Sequence, residues 1–553
     1  MSWFFLLLTF CFFSFILSLY VSYFDCLYLS FSFLSCYPLN LSVSFFFDVF
    51  SCWFLFVVLL ISSVIMIYSY FYISPYHKSN YFLVLTVLFV LSMCLVILMS
   101  DLFFIMLGWD GLGLVSFFLI VYYQNQSRIF SGIFTLLINR FGDGLFICTI
   151  SLYSLSFFSY YVFCSSLPTI MLVFFLVLSF ITKRAIYPFS PWLPMAIAAP
   201  TPISALVHSS TLVTSGLYLL IKFSYIVYSS YFVCSLLACF RLFTSFYAGL
   251  NTIFEKDLKK LIALSTLSHL GFIGLSFSLG LLTLSFFHLL SHALFKSLLF
   301  ITIGDIIINL GHRQDIRFLS SGRIYTPFSS LIMLVPILNL LGIPSLVGYF
   351  SKDLVLEVSN FTSLSLVLYT VFLLNLVFTF YYSFQLFYFS FSFNKFSAYS
   401  SFHFPSLFHS LLLLLLRVFS LFFGFFFLRY VSFSVAFAPV PLFIKFIPSI
   451  LLLLFFIFML YSLSLPTSTR QYFNSYFSRM MFLYFFITKF CRNLYYNFSF
   501  FYVKTFEMGS LNNFLNSGLP RFFLFLSGSF LRSSYYAPLY FLFLSLISSS
   551  FFF

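Results

Sequence analysis

Long apolar runs follow one another along the whole chain, each closed by a short polar break. Read by run length, candidate spans lie near 1–22, 46–71, 81–99, 101–122, 130–157, 160–195, 200–223, 227–250, 258–279, 283–308, 326–350, 361–390, 405–430, 441–464 and 534–552. Runs of about twenty apolar residues match the hydrocarbon thickness of a bilayer, and the spacing predicts helices, not strands. The expected fold is an all-α polytopic membrane protein of about 14–16 transmembrane helices, with no separate soluble domain. The run 160–195 is too long for one simple span and carries Pro188, Pro191 and Pro194, which predicts a break inside the membrane. The first 20 residues read as a first span and not a cleaved leader, because they have no basic start and no cleavage site.

Polar residues inside these runs carry the chemical information. In 283-TLSFFHLLSHALFKSLLFITIG-304, His288, His292 and Lys296 fall at i, i+4 and i+8. They share one helical face within about 12 Å of axis. A lysine at mid-bilayer costs on the order of 2.5–3.5 kcal/mol, so such residues point to a proton or ion path.

Four further clusters surround that helix. Asp110 lies mid-span in Gly108-Trp109-Asp110-Gly111-Leu112-Gly113, where small neighbours admit another helix. Arg140 and Asp143, in Asn139-Arg140-Phe141-Gly142-Asp143-Gly144, are three apart and can pair; a local ion pair explains them as well as a role in transport does. The stretch 182-TKRAIYPFSPWLPMAIAAPTPISALVHSSTLVTSG-216 places Lys183 ahead of five prolines, then His208 ahead of a run of hydroxyls. His208 suits either a proton relay or a satisfied core histidine. In 339-NLLGIPSLVGYFSKDLVLE-357, Gly342, Pro344 and Gly348 interrupt a span before Lys352, Asp353 and Glu357. Broken helices with an ionisable residue at the break, one in each half, mark transporter folds and suggest an internal repeat.

Composition narrows the class. The chain of 553 residues is 62% hydrophobic and 7% charged, with mean hydropathy +1.11, which excludes an ordinary soluble fold. Phenylalanine supplies 94 residues; packing asks for no such excess, and a T-rich coding genome of the organelle type accounts for it. No C-x-x-C pair, G-x-G-x-x-G or Walker loop occurs among the ten cysteines and twenty glycines, so no metal site, redox cofactor or nucleotide site is expected in this chain. Net charge is about +5 over 1–398 and about +9 over 399–553. The basic tail suits an interfacial amphipathic helix on anionic lipid such as cardiolipin, not nucleic acid; an ordinary basic loop plus one more span is the plainer alternative.

These segments resemble the subunit 5 family of mitochondrial NADH:ubiquinone oxidoreductase (respiratory complex I), antiporter-like proton-pumping chains. The resemblance runs from about 41 to 390. It rests on W-D-G-x-G at 109–113, N-R-x-G-D at 139–143, P-W-L-P at 191–194, P-T-P-x-S-A-L-x-H-S-S-T at 200–211, D-x-K-K at 257–260, H-A-x-F-K at 292–296 and G-x-x-S-K-D at 348–353. It implies two inverted five-helix repeats, each with a broken helix. The implied layout is N-terminal spans in 1–80, repeats in 81–225 and 226–390, C-terminal spans in 391–465, a lateral amphipathic helix in 466–533 and an anchoring helix in 534–553.

The resemblance further implies a polar axis for protons in which Asp110 is the carboxylate partner of Lys183 and His292 and Lys296 continue towards Lys352, with Asp143 in the matching N-R-x-G-D motif. From their own settings in the sequence, His208 is the expected relay on that path and Arg140, His288 and Asp353 its expected supports. NADH, FMN, iron–sulfur clusters and ubiquinone would belong to partner subunits of a membrane arm in the mitochondrial inner membrane, and this chain would be one subunit of the H+-translocating reductase. Departures from the family pattern are Asp110 in place of glutamate, Ser190 before P-W-L-P, and Ala198 in place of an acid. The short region before Asp48 implies that an N-terminal helix of many relatives is missing. Rival readings are a subunit of a multi-subunit cation/proton antiporter and a structural membrane-arm subunit without transport.

Overall fold

In the computed structural model the described residues are 2–431, apart from 25, 37–38, 74–78, 159–165, 312, 320–325, 345, 360–365 and 392–406, together with 449–455, 457 and short pieces between 489 and 528. The chain divides into two units, Met1–Arg479 and Met480–Phe553. The first holds the membrane architecture. In the second, the described residues include a π-helical turn at Phe514–Gly518 that runs into helical residues 519–525. Most of the expected lateral helix, 466–533, and all of the anchor, 534–553, lie outside the described residues.

Helices dominate the first unit: α1 (Ser2–Phe24), α2 (Val49–Ile73), α3 (Ser79–Leu98), α4 (Leu102–Ile120), α5 (Gln126–Phe158), α6 (Ser166–Lys183), α7 (Trp192–Ala196), α8 (Thr201–Ser209), α9 (Leu212–Lys222), α10 (Ser224–Tyr228), α11 (Tyr231–Phe254), α12 (Leu258–Ser278) and α13 (Leu282–Asn309). The series continues with α14 (Pro327–Leu341), α15 (Leu354–Ser359), α16 (Leu366–Phe391) and α17 (Leu407–Val431). Among the described residues ten helical segments, α8 and α9 taken together as one, are long and apolar enough to cross a membrane, and three shorter apolar helices accompany them.

Burial sorts the helices into an inner and an outer set. The α8–α9 segment and α13 are buried throughout their apolar windows, and α12 and α2 nearly so. A helix that is apolar all round belongs inside a bundle or against lipid. The outer helices α1, α3, α4 and α5 expose Phe5, Phe12, Leu91, Phe103, Leu107, Leu137 and Ile147, a surface suited to hydrocarbon. Serine and threonine are common inside, and their hydroxyls return to carbonyls three or four residues back, as Thr302 and Ser297 do on α13. That local bond makes a hydroxyl tolerable where water is absent.

Two features depart from the expected all-α pattern of single spans. Residues 26–48 form an antiparallel hairpin of β1 (Cys26–Cys36) and β2 (Leu39–Asp48), in register from Cys26↔Asp48 to Cys36↔Leu39 with an irregularity near Ser32. Its alternation, Leu-Tyr-Leu-Ser-Phe against Leu-Ser-Val-Ser-Phe, has the period of two that strands require. Almost all of it falls between the expected spans 1–22 and 46–71, where run length predicts no element. Ser44 ties the hairpin to the α3–α4 corner, donating to Asp101 Oδ2 at 2.6 Å while its carbonyl accepts from the Ser100 amide at 3.1 Å. The second lies within 200–223, which is one apolar span, Thr201–Lys222, as expected, but not one continuous helix. It is broken at Ser210–Thr211, where both hydroxyls bond the Leu206 carbonyl (3.1 and 2.8 Å), competing with the helical ladder.

The break expected in 160–195 is present. α6 stops at Lys183, Ala185 takes a positive φ of 55°, and the chain re-enters a helix at Trp192. Its freed backbone is bonded from within: Trp192 Nε1 donates to the Thr182 carbonyl at 2.9 Å. The later break falls after α14, whose cap Gly342 has φ +73°, a conformation open to glycine. Gly348 is required for a different reason, since a Cβ there would overlap the Asn339 carbonyl. The chain then makes a π-helical turn, Tyr349–Asp353, that feeds α15.

Between α11 and α12, outside both spans, Glu255 is buried. Burial pushes its carboxyl up to about 7, with Asp257 adding to the rise and Lys260 opposing it. Because the folded value lies above the ordinary one, the favourable contribution is full below about pH 4.5 and is lost as pH rises through about 7. Thermal melts of wild type and Glu255→Gln should therefore coincide near pH 4. The glutamine variant should gain on the order of 2–3 kcal/mol over wild type by pH 8. A difference independent of pH would refute the burial argument.

Candidate proton-path site

Two groups of buried polar side chains lie between packed helices, and each includes a lysine at a break. The first forms where α4, α5 and α6 pack. α5 approaches α6 closely because Gly142 has no Cβ where Thr182 packs. That contact sets Asp143 against Lys183, whose Nζ lies 3.6 Å from Asp143 Oδ1. Lys183 Nζ also donates to the Trp109 carbonyl at 2.5 Å and sits 3.9 Å from the centroid of the Trp109 ring. Trp109 is in turn packed against Phe146 and Phe180.

Charge continues outward from this pair with alternating sign. Arg140 NH1 lies 3.5 Å from Asp143 Oδ2 and 3.6 Å from Asp110 Oδ2. Side-chain exposure is 0% at Lys183, 6% at Asp143, 41% at Arg140 and 35% at Asp110, so the ladder leads from the interior to the flank of the unit. This corrects one expectation. Asp143, and not Asp110, pairs with Lys183, while Asp110 pairs with Arg140. Asp110, one methylene shorter than the family's glutamate, meets the guanidinium that stands between it and the lysine.

The second group spans α12, α13, the π-helical turn and α16. Lys296, fully buried, donates to Ser265 Oγ at 2.6 Å and faces the Tyr382 ring at 5.6 Å. His288 and His292 are also fully buried on α13, on the face their spacing predicts. They are joined by a residue the spacing reading passed over: His269 of α12, whose ring lies 5.6 Å from His288 and 5.7 Å from His292. His288 Nδ1 bonds Ser351 Oγ at 2.9 Å. Next in sequence, Lys352 donates to Thr379 Oγ1 at 2.6 Å and to the Leu340 carbonyl at 3.3 Å, the latter freed by the break after α14. Asp353 turns towards Gly342.

The row therefore reads Lys296, His292, His269, His288, Ser351, Lys352, Thr379, drawn from four elements. His269 carried the same signal as its partners, a histidine inside an apolar run, but no second ionisable residue shares its helix face. Ser265, Ser351, Thr379 and Tyr382 carry no such signal, because hydroxyls are scattered through every span. His208, on α8, is buried with its Nδ1 unpartnered and bonds the Ala196 backbone at the first break. α8 packs on α13, α2 and α12, between the two groups in chain order, but His208 joins neither by a direct bond among the described residues. No group of three or more metal-ligating side chains forms among the described residues.

The Lys183 pairing has a measurable consequence. Asp143→Asn leaves a buried ammonium without its counter-charge and should cost about 3–5 kcal/mol of stability. Asp110→Asn removes a half-exposed partner and should cost about 1 kcal/mol or less. Denaturant titration of the two variants distinguishes them, and the reverse order would restore Asp110 as the partner of Lys183.

Comparison with known proteins agrees with this architecture. Residues 99–379 match the NADH:quinone oxidoreductase/Mrp antiporter transmembrane family. The chain is 38% identical over 501 residues to NADH-ubiquinone oxidoreductase chain 5 of Locusta migratoria, covering 88% of this chain and 86% of that one. It is 43% identical over 358 residues to the protein of the same name from Anopheles quadrimaculatus, covering 64% and 62%. Among solved structures, the Mrp complex from Dietzia sp. DQ12-45-1b aligns with TM-score 0.66 at 22% identity over 84% of this chain and 53% of that one. The membrane-bound sulfane sulfur reductase, an archaeal respiratory membrane complex, aligns with TM-score 0.63 at 20% identity over 72% and 84%. The two structures share the fold, and the sequence relatives share the family: the chain belongs to the NADH-ubiquinone oxidoreductase chain 5 family, within the wider NADH:quinone oxidoreductase/Mrp antiporter family.

Proposed function

We propose that this chain is a proton-translocating membrane-arm subunit of an NADH:ubiquinone oxidoreductase, a multi-pass protein of the mitochondrial inner membrane encoded in the organelle. Electron transfer from NADH through FMN and iron–sulfur clusters to ubiquinone takes place in partner subunits. This chain converts a signal from them into movement of protons along its own row of charges. The observation that carries the reading is the placement of three buried lysines, Lys183, Lys296 and Lys352, each held by an internal acceptor and two of them at broken helices. The inverted repeats 81–225 and 226–390 supply one broken helix each, and the basic tail lies on anionic phospholipid such as cardiolipin.

The mechanism follows from what each contact does to a proton. An ion pair near 4 Å is worth about 4 kcal/mol at an effective dielectric constant of about 20, while moving one proton against 100 mV costs about 2.3 kcal/mol. Opening or closing the Lys183–Asp143 pair is therefore large enough to drive a proton on or off the lysine. Arg140 is the lever, because it holds Asp143 and Asp110 together and its flank position exposes it to a neighbouring subunit. In the second group, Lys296 passes its proton towards Lys352 through His292, His269 and His288, whose ring nitrogens both accept and donate. Ser351 completes the link, and Thr379 and the Leu340 carbonyl receive the charge at Lys352. Asp353, beside Lys352, supplies the counter-charge on the far side, and His208 is placed to relay between the groups.

A second reading, a subunit of a multi-subunit cation/proton antiporter, is favoured by the likeness of fold to the Mrp complex. Copurification separates the two: the proposal expects flavin and iron–sulfur subunits to come with this chain. In the assembled, reconstituted complex, Lys183→Met and Lys296→Met should each lower the ratio of protons pumped to electrons transferred. Assembly should be preserved in at least one of them. An unchanged ratio in both variants would sink the proposal, and loss of pumping with assembly intact would exclude a purely structural role.

A further inference from the structure

Two arginines that the proton row does not use lie inside the cluster formed by α6, α9, α10, α11 and α12. Arg184 follows Lys183 at the end of α6, and Arg241 stands on α11; they are 2% and 0% exposed. Neither Nε nor either terminal nitrogen of either guanidinium has a hydrogen-bond partner among the described residues, and no carboxylate there pairs with them. Of the twelve acidic residues only Asp25 and Glu507 fall outside the described set.

The surrounding backbone is shaped to hold these side chains. Gly216 of α9 faces the Arg184 stem, and a Cβ there would stand 3.0 Å from Arg184 Cγ. Gly274 of α12 faces Arg241, and a Cβ would stand 2.6 Å from its Cδ and 2.8 Å from its Nε. Arg241 Cζ lies 5.3 Å from the centre of the Phe277 ring, which stacks on Tyr228 of α10 at 5.1 Å. The Tyr228 hydroxyl is held by the Phe277 carbonyl at 2.7 Å. Helical side chains lean towards the helix N-terminus, so Arg241 reaches towards the α10–α11 corner, where α11 begins and α12 ends.

A guanidinium stays protonated under all ordinary conditions. Two of them, on the packed helices α6 and α11 and withdrawn from water, are strongly unfavourable without a shared anion. Their planar forks match tetrahedral oxyanions with two parallel bonds each. We propose that Arg184 and Arg241 form a buried site for one phosphate-type oxyanion, walled by Gly216, Gly274, Phe277 and Tyr228. The phosphate is either a free ion or the phosphodiester of a lipid headgroup entering at the α10–α11 corner. This inference does not depend on the proton-pumping proposal.

The test uses the full chain purified in phosphate-free detergent buffer. Equilibrium dialysis against labelled inorganic phosphate should show saturable binding if the occupant is the free ion, weakened about tenfold or more in Arg184→Gln/Arg241→Gln. If the occupant is a lipid, inorganic phosphate does not bind. The chain exposed to phosphatidylglycerol vesicles and then delipidated instead retains phosphodiester that the double variant loses. Should the glutamine pair fail to fold, Arg184→Lys and Arg241→Lys keep the charge without the fork and should weaken whichever binding wild type shows. Absence of bound phosphate in both assays, or equal retention by wild type and variants, overturns the proposal.

Discussion

A charge withdrawn from water must find its acceptors inside the protein, and most of this structure can be read as the answer to that demand. Lys183 is held by the Asp143 carboxylate, the Trp109 carbonyl and the face of the Trp109 ring. Lys352 takes a carbonyl that the break after α14 leaves free. Lys296, on an unbroken helix, is held by a serine from α12. Helix breaks, close glycine contacts and the completely buried inner helices are thus consequences of the same requirement. Gly142 lets Asp143 reach its lysine, and Gly348 lets the chain turn back tightly enough to present Lys352.

The kind of acceptor differs along the row. Lys183 has a carboxylate within ion-pair distance, whereas the acceptors bonded to Lys296 and Lys352 are neutral hydroxyls and a carbonyl. An ammonium held by neutral groups is easier to discharge than one held by a carboxylate. A proton path benefits from that inequality, since a site that holds its proton too firmly cannot pass it on. The histidines between Lys296 and Lys352 are suited to the passage because an imidazole takes a proton on one nitrogen while giving one from the other.

The membrane class, the inner position of the histidine helix and the break after Lys183 were legible in the sequence, because each leaves a one-dimensional mark: an apolar run, a helical spacing, a cluster of prolines. The hairpin at 26–48 was hidden because run length registers only spans, and nearly all of the hairpin falls between the first two, where an alternation of period two is the one mark it leaves. The pairing of Lys183 was misjudged because the choice between Asp110 and Asp143 depends on how closely α5 approaches α6, which Gly142 decides and no spacing on a single helix reveals. His269 escaped for a related reason: its partners stand on another helix. The 200–223 break shows that adjacent hydroxyls can interrupt a helix with no proline between them.

In the proposed mechanism, protons cross between Lys296 and Lys352 through a histidine bridge assembled from two helices. Its most direct measurement is proton pumping per electron in the reconstituted complex carrying His269→Leu, with His269→Gln as the side chain that restores hydrogen bonding without a titrating ring. The leucine variant should assemble and oxidise NADH but pump fewer protons per electron, with partial recovery in the glutamine variant. Full pumping by His269→Leu would contradict that mechanism.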